Sequence, residues 1–269
     1  MHRRQIILST CLLFTPIFAN SQTSAGLDPS ALFDKGMNAL TGSSATRSGA
    51  NAIEYFRRSA GLGFGPAQVV LGYFYETGLN TTPDAGKALE LYKKAAQQGD
   101  PLAQWLVGRM IYLGEVPPRD LNEAANWLEK SSSQNNPFAQ FLLGKIAFER
   151  GHYDRSAELF RKAAEQGLPQ AQLQLAIQLR DGQGLPRDVF EAYVWMLTSD
   201  NGGQRSTATT LQALEAELSS AQIEQAKSKA RALEGSTDRS VMAHGCTGWH
   251  GEFDDVATPP TPDLQRFCR

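Results

Sequence analysis

Small and large apolar residues return along this chain at a nearly constant interval. Alanines mark the same point of successive units, at Ala31, Ala67, Ala103, Ala139 and Ala171. The offsets between them are 36, 36, 36 and 32 residues. Leu71, Val107, Leu143 and Leu175 lie four positions after the later marks, and Gly72, Gly108, Gly144 and Ala176 follow them directly. A repeat of this length predicts stacked helix pairs, because one pair cannot bury its apolar face alone.

The second half of each unit has its own pattern of small and large residues. It opens at Ala52, Ala88, Ala124, Ala157 and Ala192, and three residues later come Tyr55, Leu91, Trp127, Phe160 and Trp195. We expect the small residues where two helices approach closely, and the large ones in the core.

Residues that begin and end helices fall at the borders of the units. Pro66, Pro101, Pro137 and Pro169 suit the first turn of a helix. Gly63, Gly99, Asn135 and Gly167 suit the left-handed residue that ends the preceding helix. Asp84, Asp120, Asp154 and Asp188 are predicted to cap the second helices. The turn from Arg150 to Asp154 is short, which explains the 32-residue offset.

At these residues the chain resembles the Sel-1-like repeats, relatives of the tetratricopeptide repeats. The resemblance rests on Ala67, Leu71-Gly72, Tyr75, Gly78, Asp84, Lys87-Ala88, Tyr92, Lys94-Ala95-Ala96 and Gly99, and it covers roughly residues 31 to 234. It implies an all-α fold, a right-handed α-solenoid of about five helix-turn-helix repeats. It also implies protein binding as the function, without naming the partner.

The chain divides into four predicted segments. Residues 1–21 are predicted to be a signal peptide, because Arg3 and Arg4 precede a short apolar run. A frayed first helix and a lipoprotein signal at Cys11 are the weaker alternatives. The repeat solenoid is expected over 22–200, capping helices over 201–234, and an irregular tail over 235–269. We therefore expect a periplasmic or secreted protein with no membrane span after signal cleavage.

Charge and missing motifs exclude several function classes. Removing Arg3 and Arg4 from 26 basic and 28 acidic residues leaves 24 and 28, a net charge of −4. A mildly acidic chain without a basic block does not suit nucleic acid or an anionic membrane. The sequence contains no nucleophile elbow, phosphate-binding glycine loop or His-Glu-x-x-His motif. We expect no enzyme activity, no cofactor and a monomeric protein.

One cluster in the tail leaves two interpretations open, with His244, Cys246, His250 and Cys268 as its members. In an oxidising compartment Cys246 and Cys268 are expected to form a disulfide that closes the tail. A zinc site made of the two histidines and two thiolates is the alternative, but its spacing matches no common zinc motif. We favour the disulfide and expect no metal.

The first helices carry the candidate partner-binding residues, because the resemblance implies that these helices line the inner, concave face. The candidates are Tyr73, Phe74, Trp105, Arg109, Phe141 and Lys145. Aromatic residues and arginine are frequent interface anchors, although Trp105 and Phe141 also suit a core. Arg109 is expected at the surface.

Two kinds of function follow from the resemblance. Some exported relatives are immunity proteins that block toxic phospholipase effectors, and others regulate envelope signalling or polysaccharide export. A sequestering, non-enzymatic protein is therefore the first expectation. A β-lactam-binding or β-lactam-hydrolysing enzyme is the other, but the cysteine pairs of those relatives are missing from the repeats here.

Overall fold

The computed structural model describes residues 28–41, 48–201 and 208–236. Within these ranges every regular element is an α-helix. The helices are α1 (Pro29–Thr41), α2 (Gly49–Gly61), α3 (Gly65–Thr77), α4 (Ala85–Gln97), α5 (Pro101–Leu113), α6 (Leu121–Ser133), α7 (Pro137–Glu149), α8 (Tyr153–Glu165), α9 (Pro169–Asp181), α10 (Val189–Asn201), α11 (Ala208–Glu215) and α12 (Ser220–Ser236). The prediction of an all-helical repeat array is confirmed.

Helices α1 to α10 form five consecutive pairs. The two helices of a pair pack along each other, and the second helix of each pair also packs against the first helix of the next pair. The first helices α5 and α7 touch directly as well. Buried apolar residues form one cluster around α1 to α3 and a second cluster that continues from Val69 to Ala230. The core therefore grows along the array, as in other repeat proteins.

Local sequence signals place the ends of the helices. The residues predicted to be left-handed have positive φ angles, 87° at Gly63, 95° at Gly99, 64° at Asn135 and 89° at Gly167. Prolines occupy the first turn of α3, α5, α7 and α9. Both predictions are confirmed, so the helices begin and end where the local sequence favours a helix start or end.

Three of the four predicted aspartate caps are confirmed. The carboxylates of Asp84, Asp120 and Asp188 accept hydrogen bonds from backbone N–H groups of α4, α6 and α10. The prediction for Asp154 is wrong, because an Asp154 cap requires α8 to begin at Arg155, and the shortened turn lets it begin two residues earlier, at Tyr153. The N-cap there is His152, whose side chain makes no capping bond.

Glycines allow the two helices of a pair to approach closely. A Cβ atom at Gly108 would lie 2.5 Å from Cγ of Leu128 on the second helix of its pair. At Gly144 it would lie 2.6 Å from the ring of Phe160. Real Cβ contacts are longer than this, so any side chain here would force the two helices apart.

Serine and glutamine side chains also tie the helices together. Ser59, Ser131 and Ser199 donate to the carbonyls of Pro29, Pro101 and Pro169, at 2.6, 2.7 and 3.0 Å. A glutamine follows each marking alanine from Ala67 onward, as Gln68, Gln104, Gln140 and Gln172. Gln68, Gln104 and Gln172 donate to a carbonyl of the preceding second helix. These buried polar groups hold neighbouring helices in register.

The last two helices both pack against α10. Leu214 of α11 and Ala226 and Ala230 of α12 are buried there. Arg187, in the turn before α10, forms an ion pair of 2.7 Å with Glu217. The hydroxyl of Ser219 accepts a hydrogen bond from the N–H of Gln222 and so caps α12.

Several predictions fall on residues that the structure does not describe. The signal peptide, the proposed disulfide of Cys246 and Cys268, and the alternative zinc ligands His244 and His250 all lie outside the described residues. Across the described ranges, no helix has the length and apolar character that crossing a bilayer requires.

Candidate partner-binding surface

The six predicted binding residues separate into a buried set and a partly exposed set. Phe74 and Trp105 are only 2% and 3% exposed, and Arg109 is 9% exposed. Tyr73, Phe141 and Lys145 remain partly exposed. Phe74, Trp105 and Arg109 therefore have too little surface to anchor a partner, which corrects the expectation for these three. The reason is that each first helix packs between two second helices.

Two positions of each first helix recur on one face. Six residues after the marking alanine come Tyr73, Arg109, Lys145 and Ile177, and nine residues after it come Glu76, Tyr112, Phe148 and Arg180. Residues three apart share a helix face. In two junctions the later position of one repeat contacts the earlier position of the next, Glu76 with Arg109 and Tyr112 with Lys145.

The junction of the second and third repeats contains a buried ion pair. The guanidinium of Arg109 donates to the carboxylate of Glu76, which also accepts a hydrogen bond of 2.8 Å from the hydroxyl of Tyr92. Glu115 lies 3.9 Å from Arg109, and Arg109 lies 5.6 Å from the ring centre of Trp105. Glu76 is thus engaged by both Arg109 and Tyr92, whereas Nε of Arg109 is buried without a hydrogen-bond partner. The pair is internal to the junction and is not presented to a ligand.

Burial and charge act together on the pKa values of this cluster. Burial raises the pKa of Tyr92 well above its ordinary value, and the negative charge of Glu76 raises it further. For Arg109, burial lowers the pKa, but Glu76, Glu115 and Tyr92 together outweigh burial and the pKa is raised overall. Burial also raises the pKa of Glu115, against the opposing effect of Arg109. Arg109 and Tyr92 therefore keep their protons throughout the physiological pH range.

The junction of the third and fourth repeats is built differently. Glu149 accepts hydrogen bonds from the Tyr112 hydroxyl at 2.5 Å and from Arg119 at 3.0 Å. The ammonium of Lys145 lies 5.3 Å from the ring centre of Tyr112 and 5.9 Å from that of Phe141. The hydrogen bond from Tyr112 lowers the pKa of Glu149, and Arg119 and Lys145 contribute to the same shift. At this junction the ammonium of Lys145 lies near the aromatic rings of Tyr112 and Phe141.

Exposed apolar side chains gather at one edge of the array. The structure exposes Leu79, Leu113, Phe148 and Tyr153, by 43%, 54%, 37% and 40%. Each lies at the end of a first helix or at the turn into the second helix. The rings of Phe148 and Tyr153 meet edge to face at 5.1 Å. We call these four residues the turn edge.

Sequence reasoning missed most of this surface. It singled out Lys145 and Phe141 but not Tyr112, Arg119 or Glu149. A signal for Arg119 was present, because Pro118-Arg119-Asp120 recurs as Pro186-Arg187-Asp188. Both arginines donate through Nε to a carbonyl at the end of the preceding first helix. Among the described residues, no three histidine, cysteine or carboxylate side chains are grouped as metal ligands would be.

Comparison with known families gives one match along the array. The model described as "Sel1 repeat" matches residues 29–64, 65–100, 101–136, 137–168 and 169–199. The limits agree with the helix pairs, since each matched segment contains one pair. Among curated proteins, no sequence matches this chain.

Solved structures share the architecture. A protective antigen of uropathogenic Escherichia coli, c5321, which displays an SLR fold, is 28% identical with a TM-score of 0.71. The match covers 81% of this chain and 48% of that protein, so this chain spans about half of its length. A Sel1 repeat protein from Oxalobacter formigenes is 25% identical with a TM-score of 0.63, covering 68% of this chain and 75% of that one.

A more distant likeness is to the immunity protein Pa5087 from Pseudomonas aeruginosa. It is 21% identical with a TM-score of 0.44, and the match covers 79% of this chain and 85% of that one. A similarity of this size carries no argument about function.

Proposed function

Because five Sel1 repeats span residues 29–199, this chain belongs to the Sel1 repeat family, and from that premise we propose that it is a protein-binding scaffold without chemistry of its own. The turn edge carries this proposal. Of the five large apolar side chains that stand exposed in the described ranges, four lie on that edge, and only Leu62 lies at the opposite one. Contiguous exposed apolar surface marks interaction sites, and Phe148 and Tyr153 of the turn edge contact each other.

We propose further that the protein binds its partner outside the cytoplasm. The charged and apolar pattern of residues 1–21 supports export. A sequestering role fits this location, with a toxic secreted effector, for example of the phospholipase type, as the partner that this protein neutralises. Helices α11 and α12 are proposed to close the open end of the array, since they cover α10.

Site-specific cross-linking in cells tests the binding function. A photoreactive phenylalanine analogue at Leu113 should capture a protein partner from the cell envelope, and mass spectrometry would identify it. The same analogue at Leu62 is the matched control, because Leu62 is as exposed as Leu79 but lies at the other edge. Capture at neither site, or equally at both, would contradict the proposal.

Inhibition of the captured protein tests the sequestering role. If the partner is an enzyme or toxin, a stoichiometric amount of this protein should abolish its activity. Full activity in the complex would indicate a scaffold that does not inhibit.

Cell fractionation tests export, because the mature chain should be recovered in the periplasmic or secreted fraction.

A further inference from the structure

Lys145 differs from the other cations of the first helices. Its ammonium rests near the rings of Tyr112 and Phe141, at 5.3 and 5.9 Å. Within the described ranges, no carboxylate oxygen lies within 4 Å of it, whereas Arg109 and Arg180 each pair with a carboxylate. The faces of aromatic rings attract an ammonium group and hold it in position.

The nearest acidic residue is already occupied. Glu149 follows Lys145 by four residues on α7, a spacing that brings two side chains to one face. Its carboxylate instead accepts from Tyr112 at 2.5 Å and from Arg119 at 3.0 Å. Glu149 is thus held by hydrogen bonds to two residues of the third repeat and forms no direct ion pair with Lys145, although the two charges still attract each other.

The preceding junction pairs the cation at this position with a carboxylate. Arg109 stands 33 residues after Glu76 and pairs with its carboxylate. Lys145 stands equally far after Tyr112, since 145 − 112 = 33, and it faces a phenol ring there. Among the described residues, the phenol ring of Tyr112 stands at the later junction where the earlier one has the carboxylate of Glu76.

The surroundings of Lys145 favour an acidic ligand with an apolar neighbour. Phe148 follows Lys145 by three residues, Leu113 directly follows Tyr112, and both are exposed residues of the turn edge. Arg150, directly after Glu149, donates to the amide oxygen of Asn122 at 2.7 Å. Lys145, Arg119 and Arg150 therefore bring three positive charges to this junction. The carboxylates of Glu149 and Asp120 are both engaged in hydrogen bonds.

We propose that the ammonium of Lys145, which lies near the rings of Tyr112 and Phe141, binds an aspartate or glutamate side chain of a partner protein. An apolar residue next to that carboxylate would lie on Leu113 and Phe148. This inference rests on the proposed protein-binding function and names the chemistry that the partner must present. An extended acidic-apolar segment is sufficient to provide both contacts.

Selection from a phage-displayed library of random twelve-residue peptides tests the proposal. The intact protein should enrich peptides with an acidic residue beside a leucine, isoleucine, valine or phenylalanine. Lys145→Met should lose the acidic preference, and Lys145→Arg should keep it. Circular dichroism melting shows that each variant is folded.

Lys130→Met provides the matched control. Lys130 also lies over an aromatic ring, at 4.2 Å from that of Trp127, but it stands on the exposed side of the second helix α6. Its replacement should leave the selected peptides unchanged. In fluorescence polarisation, Lys145→Met should weaken the best acidic peptide about tenfold, as loss of a hydrogen bond to a charged group does. Replacing the acidic residue of the peptide by its amide should weaken binding to the wild-type protein by the same factor.

Two results would overturn the inference. If wild-type protein selects peptides without acidic residues, or Lys145→Met selects the same acidic ones, Lys145 is not the recognition group, although protein binding itself stands. If wild-type protein selects no peptide, the acidic-segment inference also fails. Cross-linking at Leu113 then decides separately whether the chain binds a partner.

Discussion

Arg109 donates its guanidinium hydrogen bond to Glu76, a residue of the preceding repeat, and both side chains are largely removed from water. Desolvating two charges is costly, and their mutual attraction offsets the cost only while both are present. The pair therefore specifies how the second and third repeats fit, more than it adds net stability.

Loss of one partner of this pair should be severe. Arg109→Met leaves the Glu76 carboxylate buried without its cation, and we expect a loss of about 3–5 kcal/mol in the free energy of unfolding. Urea denaturation measures it. The double variant Glu76→Gln/Arg109→Met should lose less stability than the sum of the two single variants. With both charged groups replaced, no buried charge is left without its partner. Additive losses would show that the two groups do not interact.

Close packing of the helices can be tested at Gly108. Gly108→Ala places a methyl group 2.5 Å from Leu128 and should destabilise the protein by about 1–3 kcal/mol through overpacking. Gly61→Ala is the control, since a Cβ there meets nothing within 4 Å. It should be neutral or slightly stabilising in thermal melting. Equal effects of the two substitutions would refute the close approach.

The serine ties predict a smaller effect. Ser131→Ala removes the hydrogen bond to the Pro101 carbonyl and should cost about 1 kcal/mol. Alanine fits this site sterically, because the corresponding residue is Ala95 in the second repeat. Ser133→Ala, at an exposed serine of the same helix, should change the urea midpoint little. A Ser131→Ala midpoint equal to wild type would mean that the bond contributes nothing.

The hydrogen bonds to Glu149 predict a pH dependence. Because they lower its pKa in the folded protein, the stabilisation is complete above the ordinary value of 4.5 and is lost as pH falls through the folded value. Glu149→Gln should therefore lower the melting temperature at pH 7, and its difference from wild type should shrink below pH 4.5. Glu129→Gln, at an exposed glutamate of α6, should leave the profile unchanged. A difference that stays constant with pH would contradict this assignment.

Local features of the fold were predictable from the sequence, because they depend on residues that are close in the chain. Gly63, Gly99 and Asn135 end helices through their own backbone preferences. Asp84 and Asp120 cap the helices that begin next to them. The cap prediction for Asp154 failed because the shorter turn moved the start of α8 two residues toward the N-terminus, to Tyr153.

Burial of Arg109 was not predictable from its neighbours in sequence. It depends on Glu76, 33 residues earlier, and a cation at that position would otherwise remain in water. The repeat period contained the information, since Glu76 and Arg109 occupy facing positions of adjacent units. Lys145 occupies the same position with a different partner, so the pattern alone could not separate core from surface.

The register of the second helices was wrong by one residue in the first three repeats, whereas the large residues expected in the core of α8 and α10 are buried. Tyr55, Leu91 and Trp127, expected in the core, are partly exposed, and the fully buried residues are Phe56, Tyr92 and Leu128. Helix geometry explains the shift. At about 3.6 residues per turn, a residue four positions after the alanine lies about 40° from it, and one three positions after lies about 60° away.

Arg187 and Glu217 are 30 residues apart, as are Arg119 and Glu149, and both pairs join a turn arginine to a later carboxylate. The pair of Arg187 and Glu217 reaches beyond residue 199, where the recognisable repeats stop. A chain shortened to that limit would lose Glu217 and uncover the buried side of α10, including Tyr193 and Met196. The cooperative folding unit is therefore longer than its recognisable sequence motif, and truncations guided by similarity alone should aggregate.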